Sequence, residues 1–170
     1  LEIIAIDPGA PPPPRPRWFA LDAPAMQRRL AAGPALVHWV ARTDDIDAAV
    51  RLAPGLVGGV LALSRGDYRW RISVPADGSL PAGGAFPTLI QWEGERHPAS
   101  DLPESGCRLD HLAIRHPRAE ELEAALLAQG ARARSLPVDL GPLTCGDLDR
   151  GSCQLQPSRR ILAGAFQSIA

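Results

Sequence analysis

Residues 36–50, LVHWVARTDDIDAAV, decide how this chain is read. The stretch Ala35–Arg42 (ALVHWVAR) carries Val37, Trp39 and Val40 and reads as a strand. Thr43-Asp44-Asp45 then supplies an N-cap and first-turn acids for a helix that runs to Ala53. Ile46, Ala49 and Val50 fall at helical spacing, and Pro54-Gly55 stops the helix. Working forward, Val57–Ser64 and Tyr68–Val74 are two strands joined by Arg65-Gly66-Asp67, a hairpin turn, and Phe86–Trp92 is a fourth strand. The order from Ala35 to Trp92 is strand, helix, strand, strand, strand. In such a βαβββ unit the helix covers one face of the sheet and leaves the other free to line a cavity.

The opening of that unit recurs. Leu36–Arg42 (LVHWVAR) aligns with Leu109–Arg115 (LDHLAIR), His38 on His111 and Arg42 on Arg115, 73 residues apart. A second helix follows from about Arg118 to Gln129, between Pro117 and Gly130, with Leu122, Leu126 and Leu127 as its apolar positions. Strands are expected around Ala133–Val138 and Ser152–Gln156. Working backward, Leu1–Ile6 (LEIIAI) reads as a strand ending at Asp7-Pro8-Gly9, and its neighbours are expected in a segment upstream of Leu1. Ala10–Arg17 (APPPPRPR) is a stiff polyproline II connection rather than an SH3-type ligand. Asp22 is placed to cap a short helix from Ala23 to about Ala32, with Pro24 in its first turn and Gly33 as its stop. The fold class expected is α+β, built on a repeated βαβββ unit whose helices cover one face of the sheet.

Composition narrows the function classes. Of the 170 residues 18 are basic, every one arginine, which points to a GC-rich bacterial genome. A net charge of -1 gives no electrostatic reason to expect a nucleic-acid partner. The apolar runs, such as Leu56–Leu63, fall short of the ~20 residues of a spanning helix, and no basic region precedes an apolar one as in a signal peptide. Cys107, Cys145 and Cys153 are odd in number and lack C-x-x-C spacing, so reduced thiols in the cytoplasm are the simpler reading. Phosphate-loop, dinucleotide, nucleophile-elbow and H-E-x-x-H motifs do not occur.

The segments LVHWVARTDDIDAAV and LDHLAIRHPRAEELEAAL, together with LEIIAIDP, YRWRISVP and LIQWEGERHP, resemble the bacterial glyoxalase-like domain family of the vicinal oxygen chelate superfamily. The resemblance covers roughly residues 1–130, and it implies repeated βαβββ modules forming a curved, cup-shaped mixed sheet with helices on the outer face. It implies one glyoxalase-like domain over 1–170: residues 1–34 as the end of a first module with the Pro-rich loop and helix, 35–94 as a complete module, and 107–170 as a further partial repeat. Family members begin with another LDH-type strand and helix, which would precede Leu1. In metal-dependent members, residues on the first and last strands of each module bind a divalent ion in the cup. Matched residue by residue, Glu2 is the last-strand carboxylate of the first module, His38 the first-strand histidine of the second, and Gln91 its last-strand ligand. Glu93 shares the parity of Gln91 and competes with it, and His111 repeats the histidine position a third time.

Imidazole with carboxylate or amide oxygens suits Zn, Fe(II), Mn or Ni with open positions. Such an ion would polarise substrate oxygens, with Glu2 as general base. Arg69 and Arg71 alternate with Tyr68, Trp70 and Ile72, which places both arginines on one face. If that face looks into the cup, they clamp a substrate carboxylate or phosphate; otherwise they are solvated. Trp39 and Trp92, one residue after His38 and Gln91, are expected to pack against helices. Two functional readings follow. The first is a metal-dependent lyase, isomerase or dioxygenase acting on a small polar metabolite; the second is a metal-free protein that binds or sequesters such a molecule in the same cup. A dimerising scaffold built by module exchange is a third.

Overall fold

The computed structural model describes residues 2–103 and 112–129, together with the strands Val138–Gly141 and Gln154–Pro157. Its centre is the unit expected from residues 35–92: strand β1 (Val40–Arg42), helix α2 (Ile46–Leu52), strands β2 (Gly59–Arg65), β3 (Tyr68–Val74) and β4 (Thr88–Trp92), with helix α1 (Pro24–Ala31) ahead of it. The sheet order is β1-β4-β3-β2. The α2 crossover carries the chain to the far edge, and two antiparallel returns bring β4 back beside β1, which it joins in parallel. Asp45 caps α2 by accepting from the Ala48 amide at 2.9 Å. The β2–β3 hairpin turns through Gly66 at φ 57, a conformation that favours glycine.

The strands expected over 35–42 and 86–92 start later than their sequence suggests. β1 begins at Val40 and β4 at Thr88, because Pro87 has no N–H with which to continue the ladder. Ahead of β1, the Trp39 carbonyl accepts from the Thr88 amide at 3.2 Å and its Nε1 donates to the Ala85 carbonyl at 3.3 Å. Residues 2–6, expected as a strand, form none: Ile3 and Ile6 are exposed and no ladder partner lies among the described residues. Asp22 does not cap α1. Its carboxylate accepts instead from the Arg17 amide and guanidinium, each at 2.8 Å, and α1 starts from Ala23 with Pro24 in its first turn.

The repeat is legible at its start and then diverges. Strand β5 (Leu112–Arg115) leads into helix α4 (Ala119–Ala128), as β1 leads into α2. However, β6 (Val138–Gly141) pairs in parallel directly with β5, whose other neighbour is β7 (Gln154–Pro157). The second sheet thus has the order β6-β5-β7 and not that of a βαβββ module. Ile46 and Ala49 of α2, Phe86 and Leu89 pack with Leu112 and Ile114 of β5 and with Leu122 and Leu126 of α4 in one core. Burying such aliphatic side chains contributes roughly 1.5–3 kcal/mol each. A second apolar cluster, centred on Trp70, Ile72 and Val74, lies on the opposite face of the first sheet.

Candidate functional site: the sheet face away from helix α2

Strand register assigns every side chain of the first sheet to one of two faces. On one face lie the rows Arg42–Ile90–Ile72–Leu61, Trp92–Trp70–Leu63 and Tyr68–Arg65. On the other lie Ala41–Leu89, Gln91–Arg71–Ala62 and Arg69–Ser64, the side that α2 covers through its contacts with Leu89 and Gln91. Trp39 packs on the α2 side as expected, whereas Trp92 does not: it belongs to the opposite, aromatic face.

The inner end of the aromatic face is closed by the chain's own residues 17–20. Trp18 packs on the Trp70, Ile72 and Val74 cluster, and the Phe19 ring lies 5.3 Å from the ring of His38. The Ala20 amide donates to the Gly78 carbonyl at 2.8 Å. A Cβ on Gly78 would stand 2.3 Å from the Arg17 carbonyl oxygen, so only glycine admits this close approach. Beneath, His38 Nε2 accepts from the Thr88 amide at 3.1 Å and lies 2.8 Å from the Thr88 hydroxyl. The proton of the neutral ring therefore sits on Nδ1, which is buried and makes no well-aligned hydrogen bond among the described residues. Burial pushes the His38 pKa down to about 4, against a backbone interaction with Gly84 that acts the other way.

The outer end is open. Trp92 is half-buried, with the rings of Trp70 at 5.3 Å, Tyr68 at 6.3 Å and His97 at 5.0 Å. Arg96 sits over the Tyr68 ring and bonds Asp67 at 3.2 Å and Asp101 at 3.1 Å; the Tyr68 hydroxyl also donates to Asp101. This network fastens the segment after β4, with its short helix α3 (Pro98–Asp101), to the β2–β3 hairpin. His97 Nδ1 accepts from the Ala99 amide at 3.1 Å and caps α3.

A family model described as a glyoxalase-like domain matches residues 1–130. The chain belongs to the glyoxalase-like domain family. That family lies within the vicinal oxygen chelate superfamily, and the mixed α+β architecture with its open, curved four-stranded sheet agrees with the match. No curated protein and no solved structure matches the chain. No helix among the described residues is long and apolar enough to cross a membrane.

Members of this family often use divalent metals, and the donors of this glyoxalase-like domain do not fit one among its described residues, where no three His, Cys, Asp or Glu side chains are grouped for it. Gln91, matched to a last-strand ligand, is engaged with α2: its Oε1 accepts from the Ile46 amide at 3.0 Å and its Nε2 donates to the Asp44 carbonyl at 3.0 Å. It also faces away from His38, whose partner Thr88 shares the parity of Ile90. Glu2 lies by Arg65, whose charge partly offsets the desolvation that raises its carboxyl pKa. Between the rows of Thr88 and Arg65 run six residues of strand, roughly 20 Å, so Glu2 and His38 stand at opposite ends of the face. Glu93 follows Gln91 on the helix side and is exposed, and His111 lies outside the described residues, as do the three cysteines.

The two arginines expected to grip a substrate face α2 instead. Arg71 makes a two-pronged bond to Asp47, at 2.7 and 2.8 Å, which holds the Asp47 carboxyl below its usual range. Arg69 is exposed on the same side. Sequence reasoning passes over Thr88, Phe19 and Arg42, reads His97 as part of a surface turn and expects Trp92 to pack against a helix. For Trp92 the available signal is alternation within its own strand, which puts it on the face opposite Gln91.

Proposed function

We propose that this glyoxalase-like domain binds a small organic molecule on the aromatic face of its sheet, without a metal held by Glu2, His38 and Gln91. The observation that carries this reading is the open, half-buried Trp92 ring set among Trp70, Tyr68 and His97 on the face that α2 leaves uncovered. Aromatic rings supply large, rigid contact area, and the adjoining arginine and histidine supply polar fixation. The engagement of Gln91 with α2 and of His38 Nε2 with Thr88 supports the metal-free form of the reading.

Two measurements on the purified chain test it. Metal content, with thermal shifts on adding Zn, Mn, Ni and Fe(II), should show substoichiometric metal and no stabilisation. Tryptophan fluorescence with a panel of small aromatic compounds should show saturable quenching that Trp92→Ala removes. Stoichiometric metal that is lost in a folded His38→Ala variant would overturn the proposal in favour of a metal-dependent lyase, isomerase or dioxygenase.

A further inference from the structure

We propose that Arg42 and His97 form an anion-recognising edge beside Trp92, and that the ligand taken there is a small planar monocarboxylate. This rests on the aromatic face being the binding surface and adds to it the chemistry of what binds.

Register places Arg42 on that face, in the row of Ile90 and Ile72 and next to the row of Trp92 and Trp70. Its guanidinium is loosely held: its contact with Asp44 is 3.9 Å long, between side chains that are 58 % and 98 % exposed. Other arginines of this region are engaged. Arg96 is fixed by Asp67, Asp101 and the Tyr68 ring, Arg17 is paired with Asp22, and Arg65, on the opposite edge strand from Arg42, stands by Glu2. Arg42 is thus a cation on an aromatic face whose neighbours leave it available.

His97 supplies the second donor. Because its Nδ1 accepts from the Ala99 amide, the proton of the neutral ring is on Nε2, for which the described residues offer no partner. The ring is held twice, by that bond and by its packing at 5.0 Å on Trp92. Arg42 is near enough for its charge to work with burial in keeping His97 neutral, which puts the two groups in one locality. The carboxylates nearby, Asp67 and Asp101, are already bound by Arg96 and Tyr68.

A guanidinium beside an N–H donor matches the two oxygens of a carboxylate, and charge-assisted bonds of this kind are the strong ones. One loosely paired cation, with Asp44 close by, suits a single negative charge better than the two of a phosphate monoester. The flat, partly exposed ring of Trp92 suits a planar body attached to that carboxylate.

The test compares phenylacetate with its neutral isostere phenylacetamide, by calorimetry and tryptophan fluorescence on the full chain. Phenylacetate should bind at least tenfold more tightly. In Arg42→Gln that preference should collapse towards one with the amide's affinity unchanged. In His97→Gln it should fall by a smaller factor. Arg69→Gln, on the helix side, should leave it intact. Bound phenylacetate should also move the NMR titration of His97 to higher pH, because a neighbouring anion favours the imidazolium. Equal binding of acid and amide, an unchanged preference in Arg42→Gln, or no binding of phenylacetate would each overturn the proposal. Indole separates that failure from failure of the underlying reading: indole binding that disappears in Trp92→Ala preserves the aromatic face as the site, and no indole binding removes it.

Discussion

The two faces of the first sheet carry similar inventories of polar side chains and use them in opposite ways. On the α2 side, Gln91 bonds both ends of the turn into the helix, Arg71 grips Asp47 and Leu89 enters the shared core. On the other side, Arg42 is loosely paired, Trp92 is only partly buried and His97 keeps an N–H without a partner among the described residues. The chemistry of a residue type therefore does not mark it as functional; the face on which the strand register puts it does. A glutamine that could ligate a metal becomes a helix clamp because α2 starts directly above it.

The largest expected difference between the faces is in stability. Phe86, fully buried in the core shared with α2 and α4, should cost about 3–5 kcal/mol when replaced by alanine. Trp92→Ala, on the open face, should cost less than Phe86→Ala, because part of the ring already meets water. Urea unfolding midpoints at constant slope give both values, and equal losses would make the open face a second closed core.

His38 sharpens the comparison at the inner end of the open face, where the chain's own Trp18 and Phe19 cover it. Its pKa is depressed to about 4 in the fold and is near 6.5 in the unfolded chain. Below pH 6.5 the unfolded state takes up a proton that the folded state refuses, so stability falls as pH falls and levels off below about 4. At pH 5 the loss is about 2 kcal/mol relative to pH 8, and His38→Gln should flatten that part of the profile. A profile unchanged by the substitution would mean that His38 is solvated.

Much of the fold was legible in residues 36–92. Asp45 caps α2 as its position implies, and the turn at Gly66 joins β2 to β3. The family resemblance over 1–130 was legible in the same segments. The site was less so, for a physical reason: alternation puts Arg69, Arg71 and Gln91 on a common face but does not say whether a helix covers it. That is decided by the side on which α2 crosses the sheet, where the start of the helix is bonded to Gln91. The strand expected at the chain's opening has no ladder partner among the described residues, and the third histidine position, His111, lies outside them.

Smaller effects test whether the helix side is purely structural. Gln91→Ala strands the Ile46 amide and the Asp44 carbonyl and should cost about 1–2 kcal/mol. Gln91→Glu, which restores the carboxylate of a metal-binding pattern, keeps the acceptor for Ile46 but sets an anion against the Asp44 carbonyl. It should therefore lose stability without gaining metal affinity, and thermal shifts with Mn and Zn would show any gain.

The smallest expected effect belongs to Arg71. Its bond to Asp47 is short and two-pronged, yet it lies on the exposed flank of α2, where water and salt screen an ion pair. Arg71 shares no row with Ile90 or Trp92, and its side chain points through the sheet from them. Arg71→Gln should accordingly leave the affinity for any aromatic ligand unchanged, and calorimetry on the variant measures it. A loss as large as that of Arg42→Gln would mean that the ligand lies on the helix side, and the division between a structural face and a binding face would have to be reversed.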